Sequence, residues 1–443
     1  MSERLASDPP ALFERPVALL QRLIQFDTTN PPGNEAACIA YLANLLTDAG
    51  LPTRLLARDP TRPNLIAHLA GRGAAPPLLL YGHVDVVTTA SQSWQYPPFA
   101  GSIADGYVWG RGALDMKGGI AMLLAALLRA QAEGLAPAGD VLLCLLSDEE
   151  AGGTYGAQYL VDAHPHLFTG IRYAIGEFGG FSLQLGHQRV YPIMVAEKQV
   201  CWMRATVRGP GGHGSLPMHG GTMVRLAHLL QQLDRHRLPV HVTPVVRQFV
   251  DTTAAALPVP ARLLWRQLLN PRLTDRVLTV LGARGTAFDP VLHNTVNATS
   301  VHGGAAINVI PSEIVVGLDG RLLPGCTPED LQRELQPLVG PAVALEVTRY
   351  DPNPATPDMG LFELLGQVLR EADPTGLPAP MLLPGITDGR FFARLGIQTY
   401  GFLPMPLPVE MNFSALLHAS DERIPIAALD FGARAIYQVL QRF

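Results

Sequence analysis

Apolar and polar positions along the chain change period several times, and each change marks an element. Leu12–Phe26 and Glu35–Ala49 space their apolar residues as amphipathic helices do, and Gly50 supplies a stop for the second. Asn64–Leu69 and Pro77–Val87 follow as predicted strands, the second an almost continuous apolar run. Such a run suits a strand covered on both faces. Lys117–Ala132 predicts a helix, Val141–Leu146 a second buried strand, Gly156–Ala163 a helix and Tyr173–Ile175 a strand. Alternation of this kind predicts an α/β layer on a mostly parallel sheet.

Near Glu197 the pattern changes. Cys201–Arg208 alternates apolar and polar residues, as a strand with one wet face does. Helix Thr222–Asp234 follows, then a Pro-rich, partly irregular stretch over 235–290 with helical character at Ala261–Leu269 and Leu273–Leu281. Strands Thr295–His302 and Glu313–Leu322, helix Pro328–Val339 with Thr327 as N-cap, and strand Ala344–Tyr350 complete the segment. The order strand, helix, strand, strand, helix, strand is ferredoxin-like. The run from Asp351 to Pro357 resembles a linker, and helices Leu361–Ala372 and Ala427–Leu440 resume the earlier style. The expectation is therefore one discontinuous α/β domain, 1–196 and 351–443, carrying an inserted α+β module at 197–350.

Composition narrows the function classes. Of 443 residues, 48% are apolar and 16% charged, which excludes a largely disordered chain. The longest clean apolar stretch in a helix, Ile120–Leu128, is far shorter than the roughly 20 residues that span a membrane. The opening Met1–Asp8 lacks a basic segment followed by an apolar one, so no secretory signal is expected. Net charge is −5 with no basic tract, so neither nucleic acid nor an anionic membrane is an expected partner. Cys38, Cys144, Cys201 and Cys326 lie far apart and form no CxxC pair, so they are expected as reduced thiols in a cytoplasmic protein.

The candidate chemistry clusters after the buried strands. In Gly82-His83-Val84-Asp85 the period of two puts His83 and Asp85 on one side, so His83 could bind a metal while Asp85 orients its other ring nitrogen. The plainer alternative is a core histidine beside a turn aspartate. Gly110–Gly119 sets Asp115 in a glycine-rich entry to a helix. It can be a ligand or a helix cap; a phosphate loop is disfavoured because no Lys-Ser/Thr pair follows the glycines. Ser147-Asp148-Glu149-Glu150 ends a buried strand, and adjacent acids there are costly without a compensating cation, unless the loop is simply solvated. Glu177 repeats the pattern after Tyr173–Ile175, and His418 lies in a late polar segment, His418-Ala-Ser-Asp421-Glu422. Open parallel sheets gather ligands beyond the carboxyl ends of their strands. Two histidines and three carboxylates there suit two divalent ions sharing one carboxylate, zinc first, with cobalt or manganese as substitutes.

These motifs in this order resemble the M20 family of di-zinc metallohydrolases, which includes acetylornithine deacetylase, succinyl-diaminopimelate desuccinylase, aminoacylase and carboxypeptidase G2. The resemblance runs from Asp27–Glu35 to the His418 segment. It implies a mostly parallel-sheet di-zinc catalytic domain with an inserted ferredoxin-like lid that forms homodimers. It further implies that His83 and Glu177 hold one ion and Glu150 and His418 the other. Asp115 would bridge them, Asp85 would orient His83, and Glu149 would be the general base acting on a metal-bridged water. His213, in Gly211–Pro217, matches a residue that reaches the site of the other subunit. Asn308 and Arg321 match substrate-contacting positions, and Arg390, which could pair with a substrate carboxylate, lies in Thr387–Phe391, a segment resembling that of the desuccinylase, although Ile386 stands where the family usually has glycine before Thr387-Asp388. The implied substrate is a small N-acyl amino acid or dipeptide. The alternative, an inactive ligand-binding or scaffold member, is disfavoured by the intact set of acids and histidines.

Overall fold

The computed structural model describes residues 11–443 apart from 283, 284 and 286. Met1–Asp8 and three positions of the 235–290 stretch thus lie outside the described residues. The chain forms two compact units. One runs to Val195 and resumes over Asp358–Met381 and Thr387–Phe443; the other comprises Ala196–Pro357 and Leu382–Ile386.

A nine-stranded sheet is the frame of the first unit. Its order is Thr53–Leu56, Asn64–Leu69, Val141–Leu146, Leu78–His83, Tyr173–Gly176, Gln398–Gly401, Gln188–Glu197 and Gly376–Leu383, with Leu183–Leu185 paired to Gln188–Glu197. The expectation of a mostly parallel sheet needs correction. Val141–Leu146, Leu78–His83, Tyr173–Gly176 and Gln398–Gly401 pair in parallel. Thr53–Leu56, Asn64–Leu69, Gln188–Glu197 and Leu183–Leu185 make antiparallel pairs, so the sheet is mixed. Continuous apolar runs report burial on both faces, and burial does not encode strand direction.

Helix Lys117–Ala132 crosses this frame almost wholly buried and packs against Pro16–Ile24 and Ile426–Arg442. Leu79, Tyr81, Cys144, Leu146, Leu160 and Phe392 form part of one core cluster. The parallel register pairs His83 with Leu146 and Leu80 with Ile175. The segments after Leu146 and Ile175 therefore leave the sheet at the same edge as His83.

The second unit holds a four-stranded antiparallel sheet in the order Thr295–His302, Glu313–Leu322, Gln199–Arg208, Val343–Asp351. Helices Thr222–Arg235 and Pro328–Val339 fall between strands one and two and between three and four in chain order. Alternating burial along Glu313–Leu322 sends Ile314, Val316 and Leu318 into a core with Leu331 and Leu335. A capping box starts the second helix: the Asp330 N–H donates to Thr327 Oγ1 at 3.3 Å and the Thr327 N–H to Asp330 Oδ2 at 2.9 Å. The Pro-rich stretch is more helical than expected. Pro244–Ala255 forms a helix because Thr243 Oγ1 caps the Val246 N–H and Pro244 occupies the first turn, where no amide donor is needed. Among the described residues no helix is long and apolar enough to cross a membrane, and all four cysteines are free.

Candidate metal centre

The common sheet edge brings His83, Asp115, Glu149, Glu150, Glu177 and His418 together. His83 ends its strand and sits 1% exposed. Its Nδ1 faces Asp85, 3.0 Å from the backbone oxygen and 3.4 Å from Oδ1. That leaves Nε2 for the cluster, 3.2 Å from Asp115 Oδ1 and 3.4 Å from Glu177 Oε2. His418 Nε2 lies 3.3 Å from both Asp115 Oδ2 and Glu150 Oε2. Asp115 thus stands between two imidazoles and turns one oxygen to each. Among the described residues, two groups have donor atoms close enough for one ion: His83, Glu149 and Glu177; and His83, Asp115 and Glu150.

Local backbone explains how neighbouring acids face different ways. Asp148 adopts φ 73°, which turns the chain sharply before Glu149. Asp85 then anchors the turn: Oδ1 accepts the Glu149 N–H and Oδ2 the Glu150 N–H, each at 3.1 Å.

The electrostatics call for positive charge. Burial, then repulsion from Glu177, pushes the Glu149 carboxyl well above its ordinary range. Burial also raises Glu177 and Glu150, although His83 and His418 respectively relieve them. Burial alone would lower the His83 imidazole, but Glu177, Asp115 and Asp85 outweigh it and hold His83 well above its ordinary value. Hydrogen bonds to Asp115 and Glu150 raise His418 to about 10. Glu150 Oε1 and Glu177 Oε1 are buried without a hydrogen-bond partner. Crowded carboxylates, imidazole nitrogens and orphaned oxygens are the donor set of a borderline divalent cation. The residues present fit such ions.

The family model for peptidase family M20/M25/M40 matches residues 79–442, spanning this whole constellation. The chain belongs to that family. It is a metal-dependent hydrolase of the M20 peptidase and aminoacylase type. It is 28% identical over 376 residues to an N-fatty-acyl-amino acid synthase/hydrolase, PM20D1, of Homo sapiens, covering 82% of this chain and 74% of that one. It is 26% identical over 423 residues to aminoacylase-1 of Homo sapiens, covering 92% of this chain and 90% of that one. An M20 metallo-carboxypeptidase, Sso-CP2 of Sulfolobus solfataricus, superposes with TM-score 0.69 at 16% identity, covering 96% of this chain and 98% of that one, a likeness of fold.

Within this M20 chain, supporting residues emerge that the motifs did not single out. Asn30 Nδ2 donates to Asp85 Oδ2 at 2.8 Å and to Asp148 Oδ1 at 3.1 Å. Arg62 pairs with Glu35 at 2.7 Å and Asp148 at 2.9 Å. Glu422 accepts from the Leu114 and Asp115 amides at 2.7 and 3.1 Å and from Arg111 at 2.6 Å. Arg111 also donates to the His418 carbonyl at 3.2 Å, which ties the late histidine to the Asp115 turn. Glu35 and Glu422 are buried acids held by distant arginines, Arg62 and Arg111, and nothing in their local sequence shows that pairing.

The four residues expected to contact substrate or to act in trans have separate settings. Arg390 is 3% exposed and donates to the Thr387 and Gly152 carbonyls at 2.7 and 2.9 Å, with Glu149 Oε1 4.0 Å away. Beside it, burial pushes Asp388 up to about 8 despite Arg390, and both its carboxylate oxygens lack a hydrogen-bond partner. His213, Asn308 and Arg321 belong to the second unit. His213 is exposed in a short ribbon pairing Gly212–His213 with Val309–Ile310, and its Nδ1 lies 2.7 Å from Ser215 Oγ. Asn308 is exposed, and its carbonyl accepts the Gly214 N–H at 2.8 Å. Arg321 is half-buried and grips Asp319 through two hydrogen bonds of 2.7 and 3.0 Å.

Proposed function

We propose that this M20 protein hydrolyses the amide bond of small N-acyl amino acids or dipeptide-like substrates at a two-cation centre. One observation carries the reading: Asp115 offers its two oxygens toward two histidines, each flanked by a further carboxylate. In this reading His83 and Glu177 would hold one ion and Glu150 and His418 the other, with Asp115 contributing to both. Zinc is the first expectation, with cobalt or manganese able to substitute. When bound, such ions polarise a carbonyl and lower the pKa of water to about 7.

The chain's own groups do the rest. Glu149 belongs to the donor group with His83 and Glu177, and its side chain is 14% exposed, so substrate and water can reach it. It takes a proton from the attacking water and returns it to the leaving amine. Asp85 fixes the imidazole of His83 and the Glu149 amide together, so removing it would misplace acceptor and base at once. His213 supplies a donor to the developing oxyanion, a contribution of about 3–4 kcal/mol for a well-placed group. Arg321, once released from Asp319, can grip a substrate carboxylate in the same two-pronged way. Asn308 contacts substrate in the same reading. Arg390, already committed to two carbonyls, fits a positioning role beside Glu149 better than a substrate contact.

The second unit serves as lid and dimerisation surface in this proposal. Leu216, Met223, Val301, Ile307 and Val309 are each at least half exposed, an apolar display that suits a second copy. The protein acts in the cytoplasm in this reading, in keeping with its free cysteines.

The test is amine release from a panel of N-acyl amino acids and dipeptides by zinc-loaded protein, with a chelated control. Chelator-sensitive release is expected; no release from any member by protein carrying two ions overturns the reading. His213→Ala should cripple turnover while fold and oligomeric state persist. Mixed dimers of His213→Ala with Glu149→Ala should recover activity if His213 acts on the partner's centre.

A further inference from the structure

Phe178 follows Glu177 directly and adopts φ 61°, a conformation bulky residues rarely accept. Such a residue persists only where its surroundings determine it. Here the surroundings are aromatic. The ring of Phe178 meets Phe413 edge-on with centroids 6.4 Å apart, and Phe413 stacks on Phe181 at 4.1 Å and 10°. These rings and Met405 wall a slot whose rim includes Asp115 and Glu177. Phe181, Phe413 and Met405 are all at most 5% exposed, whereas Phe178 is half-buried and forms the more open side. The slot encloses about 10 Å³, room for about one water molecule.

We infer that Phe178, backed by Phe413, is a specificity-determining residue that limits the apolar group held beside the reacting amide to about methyl size. The inference rests on the amide-hydrolase reading for its setting, since the slot shares Asp115 and Glu177 with the proposed centre. The physical reason is steric. The slot has largely apolar walls and therefore favours an apolar group, and its room for about one water is too small for a longer chain unless a wall such as the Phe178 ring gives way. Each methylene accommodated in such a pocket shifts discrimination by roughly 10-fold or more. Glycine at this position removes the ring and suits the backbone, which lies where glycine is unstrained.

The experiment compares wild type, Phe178→Gly and Phe413→Leu, all zinc-loaded, with metal content and thermal unfolding as controls of integrity. One arm varies the acyl group from acetyl through butanoyl to hexanoyl on one amino acid; the other varies the amino acid under acetyl. The ratio of kcat/KM for the bulkiest to the smallest member should rise at least about 10-fold in Phe178→Gly. The arm that moves identifies which half of the substrate enters the slot. A second readout needs no turnover: calorimetric binding of straight-chain carboxylates from acetate to octanoate. Wild-type affinity should stop rising at the shortest chains, and the limit should move outward in both variants. Acetyl turnover with an unmoved ratio and an unmoved binding limit overturns the proposal. A moved binding limit without amide turnover supports the slot and instead defeats the hydrolase reading.

Discussion

Two buried histidines in this molecule sit between acids, and their surroundings differ in one decisive respect. In the second unit His293 lies 2.8 Å from Asp289 and 3.2 Å from Asp275. Arg237 pairs with Asp289 at 2.5 Å and reaches Asp275 at 3.9 Å, and Asp275 is half open to water. Arg237 thus offsets one of the two carboxylates, and water at the half-exposed Asp275 screens the other. In the first unit His83 faces Asp85, Asp115 and Glu177, with Glu149 and Glu150 alongside. The guanidinium beside this group, Arg390, is turned to backbone carbonyls. A histidine between carboxylates is therefore not the mark of a cation site. The mark is a surplus of buried negative charge that the chain itself leaves uncompensated.

The largest expected effect breaks the chemistry while keeping every side chain assigned to an ion. Glu149→Ala should lower kcat by about 10²–10⁴ while bound metal, read by elemental analysis, stays at the wild-type level. A variant within tenfold of wild type would remove Glu149 from the role of base.

Metal removal sharpens the comparison next. At free metal of 100 times Kd, each ion bound only by the folded chain adds about 2.7 kcal/mol of stability. Chelation should therefore lower the unfolding temperature in calorimetry. Asp115→Asn should abolish most of that response, whereas Asp275→Asn, in the network around His293, should leave it intact. Equal responses in the two variants would erase the distinction drawn between the clusters.

The smallest effect lies in the second unit. Arg237 is 38% exposed, so Arg237→Met should cost only about 1 kcal/mol in denaturant unfolding, with metal content unchanged. A loss of bound metal there would show that the network is not merely structural.

Much of this fold is legible because local pattern and tertiary role agree. Lys117–Ala132, Val141–Leu146 and Glu313–Leu322 occupy the residues their periodicity predicts. Gln188–Glu197 escapes notice because Pro192 interrupts an apolar run with no clear period. Pro244–Ala255 is hidden because proline suggests a linker, although at a first turn it favours a helix. Sheet direction is not legible, since antiparallel Asn64–Leu69 and parallel Leu78–His83 are both buried almost throughout. In the candidate site, acids and histidines that follow buried strands stand out in the sequence. Asn30, Arg62 and Arg111 do not, because their partners Asp85, Asp148 and Glu422 lie 55, 86 and 311 positions away. Phe178 is a plain aromatic residue in sequence, and its left-handed backbone emerges only in the fold.

The most direct test of the central claim is a count of ions. Native mass spectrometry of zinc-reconstituted protein should show two ions per chain in the wild type and fewer than two in Asp115→Ala, since that side chain is assigned to both. A wild type saturating at zero or one ion, or an Asp115→Ala variant that still holds two, would contradict the account.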